Sequence, residues 1–254
     1  MLIDTHCHLD AAEFDGDREA VHAAALAAGV AGIVVPAVAV DGFARTKSVV
    51  AAYAGCVAAY GIHPLYVTAA GEGDVATLRQ WLVAERPVAV GEIGLDFYAG
   101  EGDIPRQEWF FAEQLKLARE FDLPVILHVR RAVDRVLWHL RRAGVRGGIA
   151  HAFNGSRQQA DEFIRLGFVL GFGGAATFSG STRIRALAAA LPAEAIVLET
   201  DAPDIPPAWL NGARNSPAEL PRIAAEIAAL RGITAGELAA MTAANARRVL
   251  SLPD

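Results

Sequence analysis

Apolar residues fall into short, nearly unbroken runs, separated by longer stretches in which they recur every three or four positions. The runs occupy residues 2–6, 32–36, 56–60, 87–91, 124–128, 148–151, 168–172 and 195–199. Stretches such as Val-Ala-Val, Val-Ile-Leu and Ile-Val-Leu show little alternation, which predicts strands buried on both faces. Helical spacing covers residues 17–28, 41–53, 74–85, 105–121, 132–143, 157–166 and 182–190 between the runs, then 217–230 and 235–250 after the last. Gly29, Gly144 and Gly167 each stand where a helix gives way to the next strand, the usual place of a C-cap glycine. Thr234 with Glu237 three positions later predicts a capping box at the last helix.

Eight strand–helix units repeating at roughly 28-residue intervals predict parallel βα units. In a chain of 254 residues they fit an α/β fold of the (β/α)8 TIM-barrel kind, as one domain over residues 1–254. An open doubly wound sheet is the alternative, but no Gly-x-Gly-x-x-Gly follows the first strand. The hydrophobic content of 53% supplies a large core, and no linker or low-complexity stretch divides the chain. A net charge of −6 argues against an extended duplex-binding platform and leaves room for a small basic patch. Cys7 and Cys56 make no disulfide framework, no leader is evident, and the apolar stretches are short for a membrane span, so the expectation is a reduced cytoplasmic protein that does not enter the membrane.

Barrel enzymes place their chemistry where strands end at the C-terminal rim. Here the first strand runs into His6-Cys7-His8, the third into Gly61-Ile62-His63-Pro64, the fourth into Glu92 and Asp96, the fifth into His128, the sixth into His151 and the eighth into Glu199-Thr200-Asp201. His6 and His8 share a face of an extended strand, whereas Cys7 points away and reads as a small buried apolar residue. Only His22 and His139 fall inside helices, where they read as ordinary packing residues. A dry core does not accommodate five histidines and two acids on one rim without a cation or much water. His6, His8, Glu92, His128, His151 and Asp201 are too many ligands for one catalytic zinc and suit two divalent ions. Neighbouring strands divide them into His6, His8 and Asp201 for one ion and His128 and His151 for the other, with Glu92 bridging. Zn2+, Mn2+ and Mg2+ all remain open.

Two such ions activate a water and clamp a phosphate. Asp201 is then a candidate general base, and His63 either contacts substrate or packs beside Pro64. Softer candidates for substrate contact are Arg130, with Arg131 beside it, Asn154 and Ser156, the last equally well explained as an N-cap. Asp96 is placed to orient a ligand histidine. Phe97, Tyr98 and Trp109 can stack on bases or pack under a loop. Asp204, Arg214 and Asn215 reach substrate or shape the last loop. The glycine run Gly171-Phe172-Gly173-Gly174 carries no ligand and suggests no function.

In order, Asp4-Thr5-His6-Cys7-His8-Leu9-Asp10, Gly61-Ile62-His63-Pro64, Gly91-Glu92-Ile93-Gly94-Leu95-Asp96, His151-Ala152-Phe153-Asn154-Gly155-Ser156 and Leu198-Glu199-Thr200-Asp201-Ala202-Pro203 resemble the TatD family of metal-dependent hydrolases, in the wider amidohydrolase-like barrel superfamily. Asn215-Ser216-Pro217 and the stretch from Met241 to Arg248 are similar to it as well, although Ser216 stands where that family usually has Glu. The resemblance covers nearly the whole chain. It implies a TIM barrel, divalent-metal-dependent deoxyribonuclease activity, and a metal-ligand role for the same six residues. The leading expectation is an exonuclease acting on single-stranded DNA or DNA ends, with nucleic acid as its partner. Metal-dependent ester or amide hydrolysis, including aminoacyl-tRNA esters, is the alternative, and a non-catalytic metal-binding scaffold is the third.

Overall fold

The computed structural model describes residues 1–98 and 103–253. All eight predicted strands form: β1 (Leu2–Asp4), β2 (Val30–Pro36), β3 (Cys56–Tyr60), β4 (Ala89–Asp96), β5 (Val125–Arg130), β6 (Gly148–Ala150), β7 (Phe168–Phe172) and β8 (Ile196–Leu198). They lie in one sheet in sequence order, each parallel to the next. The helices are α1 (Arg18–Ala27), α2 (Phe43–Ala52), α3 (Gly73–Glu85), α4 (Ile104–Glu120), α5 (Val133–Ala143), α6 (Arg157–Arg165), α7 (Thr182–Ala190), α8 (Leu220–Arg231) and α9 (Ala235–Leu250). Among the described residues no helix is long and apolar enough to cross a membrane.

The unbroken apolar runs are explained by two cores. One lies between strands and helices. The other fills the barrel, and every strand gives it a buried residue: Ile3, Val34, Ala59, Ala89, Ile126, Ile149, Val169 and Val197. Ala243, Ala246, Val249 and Leu250 of α9 complete this inner layer. Thr234 starts α9 with the predicted capping box to Glu237, which fixes where that helix begins. Truncating one of the large inner residues, such as Ile149, is expected to cost about 2–5 kcal/mol.

β1 and β8 meet at a seam joined by individual backbone bonds. Thr5 N–H donates to Leu198 O (3.0 Å), Asp201 N–H to His6 O (2.8 Å) and His8 N–H to Ala202 O (2.8 Å). The buried Asp4 carboxylate accepts from Thr200 N–H (3.0 Å), the Thr200 hydroxyl (2.6 Å) and His6 N–H (3.2 Å). Closing the fold and placing His6, His8 and Asp201 are therefore one event.

Two strands run further at their C-terminal ends than their sequence patterns predict. β4 continues through Glu92 to Asp96, with a shift of register between Val90 and Ile93. The glycines of this stretch let it approach β5 closely, since a side chain at Gly94 would overlap the His128 carbonyl. β5 runs on to Arg130, which puts His128 and Arg130 on one face. α4 secures this region with two buried glutamines two turns apart. Gln107 pairs with the N–H and C=O of Asp96 (2.9 and 3.1 Å), and Gln114 with those of Ile62 beside His63 (2.6 and 3.0 Å).

Candidate metal centre

Three imidazoles gather at the seam. His6 is fully buried. Its Nε2 lies 3.2 Å from His8 Nε2, 3.2 Å from Glu92 Oε2 and 3.6 Å from Asp201 Oδ1. His8 Nδ1 sits 3.2 Å from Pro36 O. A carbonyl only accepts, so Nδ1 carries the proton and Nε2 offers its lone pair toward His6 and Asp201. The His151 ring stacks on His6 with centroids 3.6 Å apart, and its Nε2 is 3.6 Å from the same Asp201 oxygen.

Glu92, only 2% exposed, stands between this group and a second one. Its Oε2 faces His6 and His8 (3.2 and 3.6 Å), and its Oε1 faces His128 Nδ1 and His63 Nε2 (3.0 and 3.5 Å). His128 Nε2 is held by Asp96 Oδ2 at 3.0 Å, the orienting role expected of Asp96. His63 Nδ1 accepts the Leu65 N–H at 3.2 Å, so its proton sits on Nε2. His63 therefore presents a donor to the centre instead of a lone pair, although its position beside Glu92 and His128 would suit a ligand.

The grouping differs from the one strand adjacency suggests. The compact sets, with ligand atoms within 4.8 Å of one another, are His6 with His8 and Asp201, His6 with Glu92 and His151, and His63 with Glu92 and His128. His151 thus approaches the seam group rather than pairing first with His128. Its ring reaches across the narrow barrel mouth to stack on His6, whereas Asp96 and Glu92 hold His128 against β4.

Charge in the centre is divided unevenly. Burial alone would raise the Glu92 carboxyl, but the charges of His6 and His63 and hydrogen bonds from His128 and His6 hold it well below the usual range. Burial, with His151 nearby, pushes His6 well down, and burial also lowers His63. Burial opposes charge on His151, yet Glu199 and Asp201 raise it to about 10. His128 is likewise raised, by Asp96 and Glu92 against burial. Burial lifts Asp201 to about 6 and Asp4 to about 7.

This donor set fits divalent cations. Nitrogen and carboxylate oxygen ligands converge, and the stacked, buried His6 and His151 rings each leave Nδ1 without a directed hydrogen bond. A cation among the Nε2 atoms and carboxylates relieves the crowding of like groups there.

The softer candidates sort by what they touch. The Arg130 and Arg131 guanidinium groups stack on the half-exposed Tyr98 ring, 3.7 and 4.5 Å from its centroid. Asn154 accepts from Arg183 at 2.7 Å on the surface. Ser156 caps α6 in a capping box with Gln159, which accounts for it as an N-cap. Arg214 is tied to Asp17 and to Glu13 O, and the buried Asn215 side chain donates to Thr200 O and Asp204 O (2.8 and 2.9 Å), so both shape the last loop. Ser216 caps the turn Pro217–Glu219. Cys7 is fully buried, and burial pushes its thiol well up. His22 bonds Ala54 O, and His139 packs on Phe111 and Trp138. Two residues stand near the centre that sequence reasoning did not single out for a role: Glu199, beside His151, and Tyr66, whose ring meets His63 edge-on at 6.0 Å. The signal for Glu199 was its place two residues before Asp201 at the end of an otherwise apolar run; for Tyr66 there was none beyond proximity to His63.

The chain is similar to known proteins over its full length. It is 41% identical to a protein of Escherichia coli K12 described as the uncharacterized metal-dependent hydrolase YjjV, across 99% of this chain and 98% of that one. It is 35% identical to the 3'-5' ssDNA/RNA exonuclease TatD of Klebsiella pneumoniae, across 99% and 98%. The crystal structure of the Escherichia coli YjjV protein, a TatD homolog, superposes with a TM-score of 0.96 at 40% identity, covering 99% of this chain and 98% of that one. The family model described as TatD related DNase matches residues 3–251. Fold, rim chemistry and likeness agree, and the chain belongs to the TatD family of metal-dependent hydrolases.

Proposed function

We propose that this protein is a nuclease that removes nucleotides from single-stranded DNA or DNA ends, working with two divalent ions held by His6, His8, Glu92, His128, His151 and Asp201. The observation that carries the two-ion reading is Glu92, whose oxygens face different histidine groups, Oε2 toward His6 and His8 and Oε1 toward His128 and His63. His6, His8 and Asp201 form one side and His128 the other, with His151 near enough to His6 and Glu92 to serve either. Bound divalent ions supply Lewis acidity, lowering the pKa of a water and polarising a phosphate oxygen.

The chain's own groups do the rest. Asp201, whose Oδ1 lies within 3.7 Å of Nε2 of His6, His8 and His151, accepts the proton of the attacking water. His63, with Nε2 protonated because Nδ1 accepts from Leu65, donates a hydrogen bond to the phosphate or to the leaving oxygen. Arg130 and Arg131, stacked on Tyr98, offer a phosphate clamp beside an aromatic face. The net charge of −6 keeps the footprint small. Phosphodiesters are favoured over other esters by relatives named as 3'-5' ssDNA/RNA exonucleases at 33–35% identity along nearly their whole length. The free thiols of Cys7 and Cys56 suit a cytoplasmic setting.

The test is to strip the protein of metal, reload it with Mg2+, Mn2+ or Zn2+, and assay 3'- and 5'-labelled oligonucleotides beside carboxylic ester and amide substrates. Stepwise loss from one end, restored by metal, is the expected result. Turnover of esters or amides alone would overturn the nuclease reading.

A further inference from the structure

We propose that Glu199 is a positioning residue that fixes which nitrogen His151 offers to the metal centre, and that Gly171 lacks a side chain in order to admit it. The proposal rests on His151 being a metal ligand, as argued above.

The inner layer of the barrel supplies the first argument. Val169, Ile149 and Val197 all contribute to the barrel interior. Two positions on from these come Gly171, still within β7, and His151 and Glu199, which directly follow the last residues of β6 and β8. A carboxylate in this layer, 1% exposed, is an expensive residue to bury without a purpose. Its Oε1 accepts the Ala152 N–H at 2.6 Å and lies 3.1 Å from His151 Nδ1. The distance is short enough for a hydrogen bond, but the ring is turned so that no directed bond forms; His151 Nδ1 and Glu199 Oε2 both remain without one. A rotation of the ring would complete the bond. On the opposite side of the ring, Nε2 faces Asp201 at 3.6 Å. A carboxylate fixed behind Nδ1 keeps the proton there and leaves the Nε2 lone pair for an ion, the relation that recurs behind histidine ligands generally.

The glycines supply the second argument. A Cβ on Gly171 would stand 2.5 Å from Glu199 Cδ and closer still to its Oε2. One on Gly173 would stand 2.6 Å from Glu199 O. The group met is the carboxylate end of the Glu199 side chain, so a methyl at position 171 would drive that carboxylate from its place and leave the backbone around it alone. Gly171 and Gly173 thus have a specific reason to lack side chains, and that reason is Glu199.

Glu199→Gln keeps the shape and one oxygen able to accept from both Ala152 N–H and His151 Nδ1–H. Glu199→Leu keeps much of the volume and no acceptor. Gly171→Ala displaces the carboxylate without altering it. Two readouts apply to each variant and to wild type: the exchange-protected Nδ1 proton of His151 in spectra of 15N-histidine-labelled metal-free protein, and the affinity for Mn2+ or Zn2+ by competition with a chelator. Wild type and Glu199→Gln are expected to keep the protected proton, with affinity within about tenfold of each other. Glu199→Leu and Gly171→Ala are expected to lose it and to bind one ion about 10–100-fold more weakly. Gly171→Ala added to Glu199→Ala should weaken binding no further than Glu199→Ala alone, because the clash has gone. Far-ultraviolet circular dichroism checks that each variant is folded. If Glu199→Leu is folded and keeps both the protected proton and wild-type affinity, Glu199 only fills space and the proposal is wrong. Wild type that shows the protected proton but takes up no ion would instead locate the failure in the metal-ligand reading.

Discussion

The two sides of the Glu92 carboxylate are built by different means. On the seam side, His6, His8 and Asp201 are placed by backbone hydrogen bonds between the first and last strands, and ring packing adds His151. On the other side, His128 sits on β5 and His63 follows β3, the two strands that flank β4 in the ladder, and single polar contacts aim them: Asp96 holds His128, and the Leu65 N–H holds His63. One half is a product of closing the fold. The other is a product of side-chain orientation on a sheet that exists without it. The first should therefore resist small polar substitutions and depend on the seam, while the second should be tunable one contact at a time.

Glu92→Ala removes what the halves share, and is expected to abolish metal-dependent turnover and most bound metal; elemental analysis beside an oligonucleotide assay measures both. A variant retaining two ions and full activity would dissolve the comparison. Asp201→Asn strikes the seam side alone. Its kcat should fall by about 10²–10⁴-fold with the circular dichroism spectrum unchanged, and unchanged turnover would remove Asp201 from the mechanism. Asp96→Asn strikes the other side, and affinity for one ion should drop by about 10–100-fold while the second is kept; equal loss of both ions would show that the halves are not separable.

The metal-free protein sharpens the contrast through pH. His151 is buried, which disfavours its charge, but Glu199 and Asp201 raise it from 6.5 to about 10. The stabilisation from its positive charge is complete below its unfolded value near 6.5 and is lost as pH rises through about 10. The melting temperature of metal-free protein should therefore fall between pH 7 and 10 by more than that of His151→Gln, and parallel pH curves for the two would refute this origin. Arg130→Ala is the mildest change, because Arg130 lies outside both halves. Its loss should raise KM for an oligonucleotide by an amount worth about 0.5–1 kcal/mol, with kcat and metal content unchanged.

Much of this was legible in the sequence because a barrel strand is buried on both faces. Val125-Ile126-Leu127 and Ile196-Val197-Leu198 announce themselves without alternation. The polar residues gathered at the rim were legible for a related reason: those that end such runs have little else to do. Three things were not. Glu92 and Asp96 lie within β4, which runs past its apolar stretch because Gly91 and Gly94 let it approach β5 closely. The stacking of His151 on His6 depends on distance across the barrel mouth, which strand order does not encode. The role of Glu199 is visible only when Gly171 on the neighbouring strand is seen to leave it space.

The seam also bears on how the protein is made. Asp4 and Thr200 meet across 196 positions of chain, and such distant contacts are the last to be secured as a polypeptide collapses. During synthesis, His6 and His8 leave the ribosome early and wait for Asp201. We expect a nascent chain to hold only isolated imidazoles until β8 arrives, with no formed hydrolytic centre to act on nearby nucleic acid. Capture of metal would then mark the completed molecule.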